Sequence, residues 1–275
     1  MKCLNCGTAL SGRFCSACGQ GHDAHAPTVA HFLHETAETL THADSRLWRT
    51  LWYLLSRPGY LTQEYFAGRR ASYLPPIRLY IVISVTCFLL LSLTSVSRDD
   101  STEGRAVVSI DNPAECGELK YNGPGRLQLE PRLQAACQRM IDDNGADFGD
   151  ALLRALPKAM FVLLPLFALL MMPFYLRPLR LYVEHLIFLV HNHSAVFMAL
   201  SINMILDAAL PALVANWLPL LLFIFLAWYC WRSIKNFYAD STAWSAFKFG
   251  TMGFLYVVIA GFVLAFTGIA ALLSI

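Results

Sequence analysis

Residues 57–96, RPGYLTQEYFAGRRASYLPPIRLYIVISVTCFLLLSLTSV, join a basic, proline-punctuated segment directly to an apolar one. From 77 to 96 the only charge is Arg78, at the edge, and about 20 apolar residues suffice to cross a bilayer as a helix. The composition of the whole chain agrees. With 56% hydrophobic and 15% charged residues and a mean hydropathy of +0.48, it has the balance of a membrane protein rather than a soluble globule.

Four more apolar segments follow, at 157–176, 181–206, 213–231 and 247–273. The expected class is therefore an all-α integral membrane protein with about five transmembrane helices. Arg177, Arg180, Arg232, Lys235 and Lys248 flank one set of helix ends, whereas the connection 207–216 has no basic residue. The loop 97–156 holds eleven acids against seven bases. The positive-inside rule then places the N-terminus and the basic connections in the cytoplasm, with the acidic loop and the C-terminus outside. Lys158 is the exception, and it has to snorkel.

The N-terminal MKCLNCGTALSGRFCSACGQ, residues 1–20, places Cys3, Cys6, Cys15 and Cys18 in two C-x-x-C pairs, followed by Gly7 and Gly19. This is zinc-ribbon spacing. Each pair forms a knuckle, the glycine lets backbone N–H groups turn toward sulfur, and four thiolates close a tetrahedral structural site with no open position for catalysis. The alternatives are a redox C-x-x-C or two disulfides; in a reducing compartment paired knuckles favour one zinc ion per chain. A module of this size buries no core, so the metal has to supply its folding free energy.

Residues 21–76 read as a linker, an amphipathic helix and a basic juxtamembrane segment. Thr28 caps a helix that Pro58 and Gly59 stop at about Ser56, with Leu33, Leu40, Leu47, Leu51 and Leu54 on one face. His31, His34, Glu35, Glu38 and His42 lie on the polar face, either as a solvated surface or as a metal or proton-relay site. The protease motif H-E-x-x-H is absent, because Glu38 stands where the second histidine belongs. Beyond Gly59, Arg69, Arg70 and Arg78 are expected to meet anionic headgroups and Tyr65, Tyr73 and Tyr80 to sit at the interface. Glu64 has Arg57 or Arg69 as a possible ion-pair partner.

The third span is the most polar: Glu184, His185, His191, Asn192, His193 and Asn203. His191 and His193 are expected to face the protein interior. Two uses fit the set, interhelical hydrogen bonding or an ion, metal or proton site. In the acidic loop, Pro131 is expected to open a helix containing Cys137, which an extracytoplasmic location allows to pair with Cys116 in a disulfide. Pro165 and Pro173 are expected to kink the second span, and Gly261, Ala265 and Gly268 to bring backbones close in the fifth.

The double C-x-x-C, the block FLHETAETLTHADSRLWRTLWYLLSRPGYLTQEYFAGRRASYLPPIRLY and the later YVEHLIFLVHNHS together resemble a bacterial family of zinc-ribbon polytopic membrane proteins, catalogued as domain of unknown function thirty-six sixty-seven. The resemblance implies an architecture and no activity. No phosphate loop, dinucleotide fingerprint or serine nucleophile elbow is present. The expected role is a non-enzymatic scaffold, adaptor or sensor of the bacterial inner membrane whose ribbon meets a cytoplasmic protein; a nucleic-acid partner is not expected. The competing classes are a small ion or metal transporter or channel using the third span, and an intramembrane enzyme. An odd number of spans puts the termini on opposite sides, so a reporter fused after Ile275 should be active only outside the cytoplasm. Activity confined to the cytoplasm would reverse this topology.

Overall fold

The computed structural model describes residues 1–21, 46–98, 116–117, 120, 122–123, 126–142, 146–176 and 180–272. The polar face His31, His34, Glu35, Glu38 and His42 lies outside them, and only the last part of the amphipathic helix lies inside. The helices are α1 Arg46–Ser56, α2 Tyr60–Phe66, α3 Pro76–Arg98, α4 Arg126–Asp142, α5 Ala146–Met171, α6 Tyr182–Ala209, α7 Ala212–Ala215, α8 Leu218–Tyr238 and α9 Thr242–Leu272. Among the described residues there is no strand, only two isolated bridges in the N-terminal module.

Five stretches are long and apolar enough to cross a membrane: Pro76–Thr94, Arg154–Tyr175, Tyr182–Ala209, Ala212–Tyr238 and Thr242–Ala270. The protein is an all-helical membrane protein. Val82, Val85 and Leu89 on α3 and Phe223, Ile224 and Trp228 on α8 remain exposed, as lipid-facing side chains must.

Element boundaries differ from expectation in the loop. α5 starts at Ala146, so 146–156 is helical, because Phe148, Leu152 and Leu156 continue the apolar stripe at helical spacing. α4 starts at Arg126 and holds Pro131 inside it. The Arg126–Glu130 pair, 2.8 Å, ties its first turn, and Pro131 removes only one hydrogen bond from the ladder. Cys116 and Cys137 are disulfide-bonded, with their Cα atoms 5.6 Å apart.

The chain falls into two compact units, one of Met1–Leu90 with Ala168–Gly253, the other of Leu91–Phe167 with Phe254–Ile275. In the second unit, the edge of Phe167 meets the ring of Tyr256, with centroids 5.1 Å apart. A Cβ added at Gly261 would meet nothing within 4 Å, and one at Gly268 only Phe148, at 3.9 Å. The small-residue stripe of α9 therefore brings no second backbone close at these positions.

In the first unit, α1 and α2 form a hairpin packed on α6 and α8. Leu54 and Thr50 are buried, whereas Trp48 and Trp52 are about three-quarters exposed, as the amphipathic pattern requires. The chain reverses at Gly59, whose φ of 79° lies in the left-handed region. A Cβ there would stand 2.8 Å from the carbonyl oxygen of Ser233, so only glycine lets the hairpin reach α8.

The irregular backbone around this turn is satisfied by side chains from elsewhere. Tyr229 donates to Leu54 O at 2.6 Å, Asn236 Nδ2 to Pro58 O at 2.9 Å, and Gln63 Nε2 to Asn236 O at 2.5 Å. Thr50 Oγ1 donates to Arg46 O at 2.7 Å and accepts from Leu74 N at 3.0 Å.

In the basic segment, one of the two ion pairs expected for Glu64 forms. Glu64, almost fully buried, takes Arg69 in a two-point ion pair. Arg70 donates to Tyr65 O and lies over the Tyr65 ring, with 4.5 Å to its centroid. Tyr80 is buried in the core against Phe197. Arg69 and Arg70 thus have partners within the chain, because folding brings carboxylate, carbonyl and ring acceptors within their reach. Tyr73 shares a hydrogen bond with Tyr60, and burial above all, then that bond, pushes its phenol above the usual range.

Gly59→Ala should lower the stability of the detergent-purified chain by at least about 1–2 kcal/mol, from the left-handed backbone alone. Gly253→Ala, where an added Cβ meets nothing within 4 Å, should leave the melting temperature unchanged.

Candidate functional site: a docked four-cysteine ribbon and a buried polar core

Each C-x-x-C pair sits in the same hairpin-like knuckle. Cys3 N donates to Thr8 O and Gly7 N to Cys3 O, both 2.9 Å; Cys15 N donates to Gln20 O and Gly19 N to Cys15 O, again 2.9 Å. The two knuckles bring Cys3 Sγ to 3.6 Å from Cys18 Sγ and Cys6 Sγ to 3.5 Å from Cys15 Sγ. All four sulfurs lie within 4.8 Å of one another. Four thiol ligands converging in this way could hold one metal ion. Hydrogen bonds with Thr8, side chain first and backbone second, lower the Cys6 thiol from its usual range.

The ribbon is seated on the chain's own turn at 66–72. Gln20, two residues after Cys18, donates from Nε2 to Gly68 O at 2.7 Å and accepts at Oε1 from the backbone N–H groups of Arg70 and Ala71, each 3.2 Å. Ser72 Oγ donates to Asn5 Oδ1 at 2.9 Å. Gly68, at φ 82°, lies against Leu4: an added Cβ would be 2.7 Å from Leu4 Cδ1. Gln20 therefore caps three polar groups of a turn that has no regular partner.

Behind this turn, α2 meets the polar third span. Thr62 is fully buried, and its Oγ1 shares a 3.0 Å hydrogen bond with His191 Nδ1. Thr62, His191, Asn192, Tyr229 and Ser233 line a narrow seam too tight to admit a water molecule. Asn192 Nδ2 donates to Phe188 O at 2.8 Å, and His193 Nδ1 donates to Leu189 O at 2.9 Å. Asn192 Oδ1 and Ser233 Oγ are buried with no hydrogen-bond partner among the described residues.

One and a half turns earlier, a second polar group forms. His185, fully buried, shares a 2.7 Å hydrogen bond with Tyr238 OH. Tyr238 stacks on Tyr175 with centroids 3.7 Å apart. Lys248 Nζ lies 3.8 Å from the centroid of that ring and 2.8 Å from Asp240 Oδ2. Arg180 pairs with Glu184 at 3.1 Å.

The six polar residues of the third span thus do not converge on one point. His191 and Asn192 line the narrow seam, while Glu184 and His185 belong to the lower group. His193 bonds within its own helix, and half-buried Asn203 joins neither group. His191 and His193 are both buried.

Residues 44–88 match the model of the family described as Protein of unknown function (DUF3667). No curated protein and no solved structure matches the chain. The DUF3667 match covers the α1–α2 hairpin, the ribbon's docking turn and most of α3, and so contains Thr50, Gly59, Thr62, Glu64 and Gly68. Gln20, His191 and Ser233, which meet Gly68, Thr62 and Gly59, lie outside the match.

Sequence reasoning missed Gln20, Thr50, Tyr229, Ser233, Asn236 and Tyr238 as partners. One signal was available in Tyr229, Ser233 and Asn236, which repeat at i, i+4 and i+7 and mark a polar stripe on an otherwise apolar helix.

Thr62→Val should destabilise the protein by about 1–3 kcal/mol, because it leaves His191 Nδ1 buried without its partner. Thr62→Ser should keep the bond, and thermal unfolding of the two purified variants distinguishes them.

Proposed function

We propose that this protein is a non-enzymatic scaffold or sensor of the bacterial inner membrane, in which a cytoplasmic zinc ribbon is fixed to the membrane domain and offered to a cytoplasmic protein partner. The observation that carries the reading is the three-point capture of the 66–72 turn by Gln20, anchored in the second knuckle. Metal binding orders the knuckle, the knuckle positions Gln20, and Gln20 holds a turn that leads into α3. Zinc suits the site: thiolates at about 2.3 Å from a tetrahedral ion stand about 3.8 Å apart, close to the 3.5 and 3.6 Å of the two measured pairs.

The partner surface is the outer side of the seam. A groove of about 380 Å³ is lined there by Met1, Leu4, Leu10, Phe66 and Arg70, and Met1, Leu4 and Phe14 are strongly exposed. Exposed apolar residues rimmed by a cation mark an interaction surface. The competing transporter reading finds less support, since His185, His191 and His193 each spend a ring nitrogen on a partner within the chain.

Elemental analysis should find about one zinc per chain, lost in Cys3→Ser/Cys6→Ser. In hydrogen exchange, the amides of Arg70 and Ala71 should be protected in the zinc-loaded protein and exchange rapidly after zinc removal. Gln20→Ala should lose the same protection while keeping its zinc. Equal exchange in zinc-loaded and zinc-stripped protein would end the coupling reading. Proton or metal-ion flux into liposomes that disappears with His191→Asn would establish transport in its place.

A further inference from the structure

The second unit contains an open groove between α5 and α9, of about 810 Å³. Ala151, Ala155 and Ala159, four residues apart on α5, line it without filling it. Its apolar part is made by Val162 of α5 with Phe262 and Phe266 of α9, and Thr267 adds a hydroxyl.

Two cations, Arg154 and Lys158, also line this groove, one turn apart and exposed. Neither has an ion pair among the described residues. Arg154 is the first residue of its membrane-crossing stretch, and Lys158 stands about 6 Å further in, at 1.5 Å per residue. Val162 and its phenylalanine neighbours follow one turn deeper. Charge at headgroup depth thus leads into an apolar trough, the same order of groups as in a phospholipid. An isolated cation at the start of a span is costly unless it reaches headgroups or is neutralised. Asp150 precedes Arg154 by one turn, whereas Lys158 has no acid three or four residues away on its helix.

We propose that this groove binds one anionic phospholipid, its phosphate held by Arg154 and Lys158 and an acyl chain lying along Val162, Phe262 and Phe266. The charge selects the lipid. A zwitterionic headgroup brings a compensating ammonium to the same two cations, whereas a phosphatidylglycerol headgroup brings a net negative charge.

The experiment is native mass spectrometry of the full chain in a neutral detergent with equimolar phosphatidylglycerol and phosphatidylethanolamine of identical acyl chains. The wild type should retain phosphatidylglycerol about tenfold over phosphatidylethanolamine. Arg154→Ala/Lys158→Ala should reduce the ratio to near one, and Lys158→Ala alone should account for most of the loss. Arg154→Lys/Lys158→Arg should restore the preference, and Arg232→Ala/Lys235→Ala, at another basic cluster, should not change it. Equal retention of the two lipids by the wild type, or an undiminished preference in the double alanine variant, would overturn the proposal. So would a lipid-free dimer in which a second copy of the chain occupies the groove.

Discussion

The hydrogen bonds that satisfy the backbone of the α1–α2 hairpin are the constraint on which the first unit depends. A chain that breaks its helix at Pro58 and Gly59 while packed against membrane spans exposes carbonyl and amide groups, and within a bilayer such groups have to find partners inside the protein. Tyr229 supplies one for Leu54, Asn236 one for Pro58, Thr50 one for Leu74, and Gln20 three for the 68–71 turn. The hairpin's own carbonyls thus depend on α8, and the turn that follows the hairpin depends on the ribbon.

A ribbon of about twenty residues depends on its metal for folding, and here Gln20 lies immediately beyond its second knuckle. With the bond from Ser72 to Asn5, four hydrogen bonds join the four-cysteine module to the turn at the foot of the first span. The adjoining Glu64–Arg69 pair and the Tyr60–Tyr73 hydrogen bond stiffen the same segment. A segment tied at several points passes on a change at one end better than one that is free to rearrange.

The polar residues of the third span illustrate how a membrane core uses ionisable side chains for cohesion. Thr62 with His191 and Tyr238 with His185 join elements remote in sequence, while Asn192 and His193 bond back to their own helix. Interhelical hydrogen bonds of this kind hold helices without a hydrophobic driving force between them. Lys248 fits the same pattern. It is nearly fully buried, and Asp240 together with the face of Tyr175 offsets the cost of placing its charge there.

The apolar runs, the paired cysteines, the stop at Pro58–Gly59 and the inward orientation of His191 and His193 were determined by the sequence, because each is set by local chemistry: hydropathy over twenty residues, ligand spacing, backbone stereochemistry and the cost of polar groups in lipid. Spacing along one helix could not show that Glu184, His185, His191, Asn192, His193 and Asn203 would separate into different environments, because it carries no information about which neighbour faces each residue. Nor could it assign Thr62 to His191 across 129 positions, or Asn236 to Pro58 across 178. Tyr80 carries the composition of an interfacial belt and became an interior group. Only the tertiary structure decided those pairings, since a hydrogen bond depends on ångström-scale placement of donor and acceptor, and in this protein that placement is made by contacts between segments far apart in the chain.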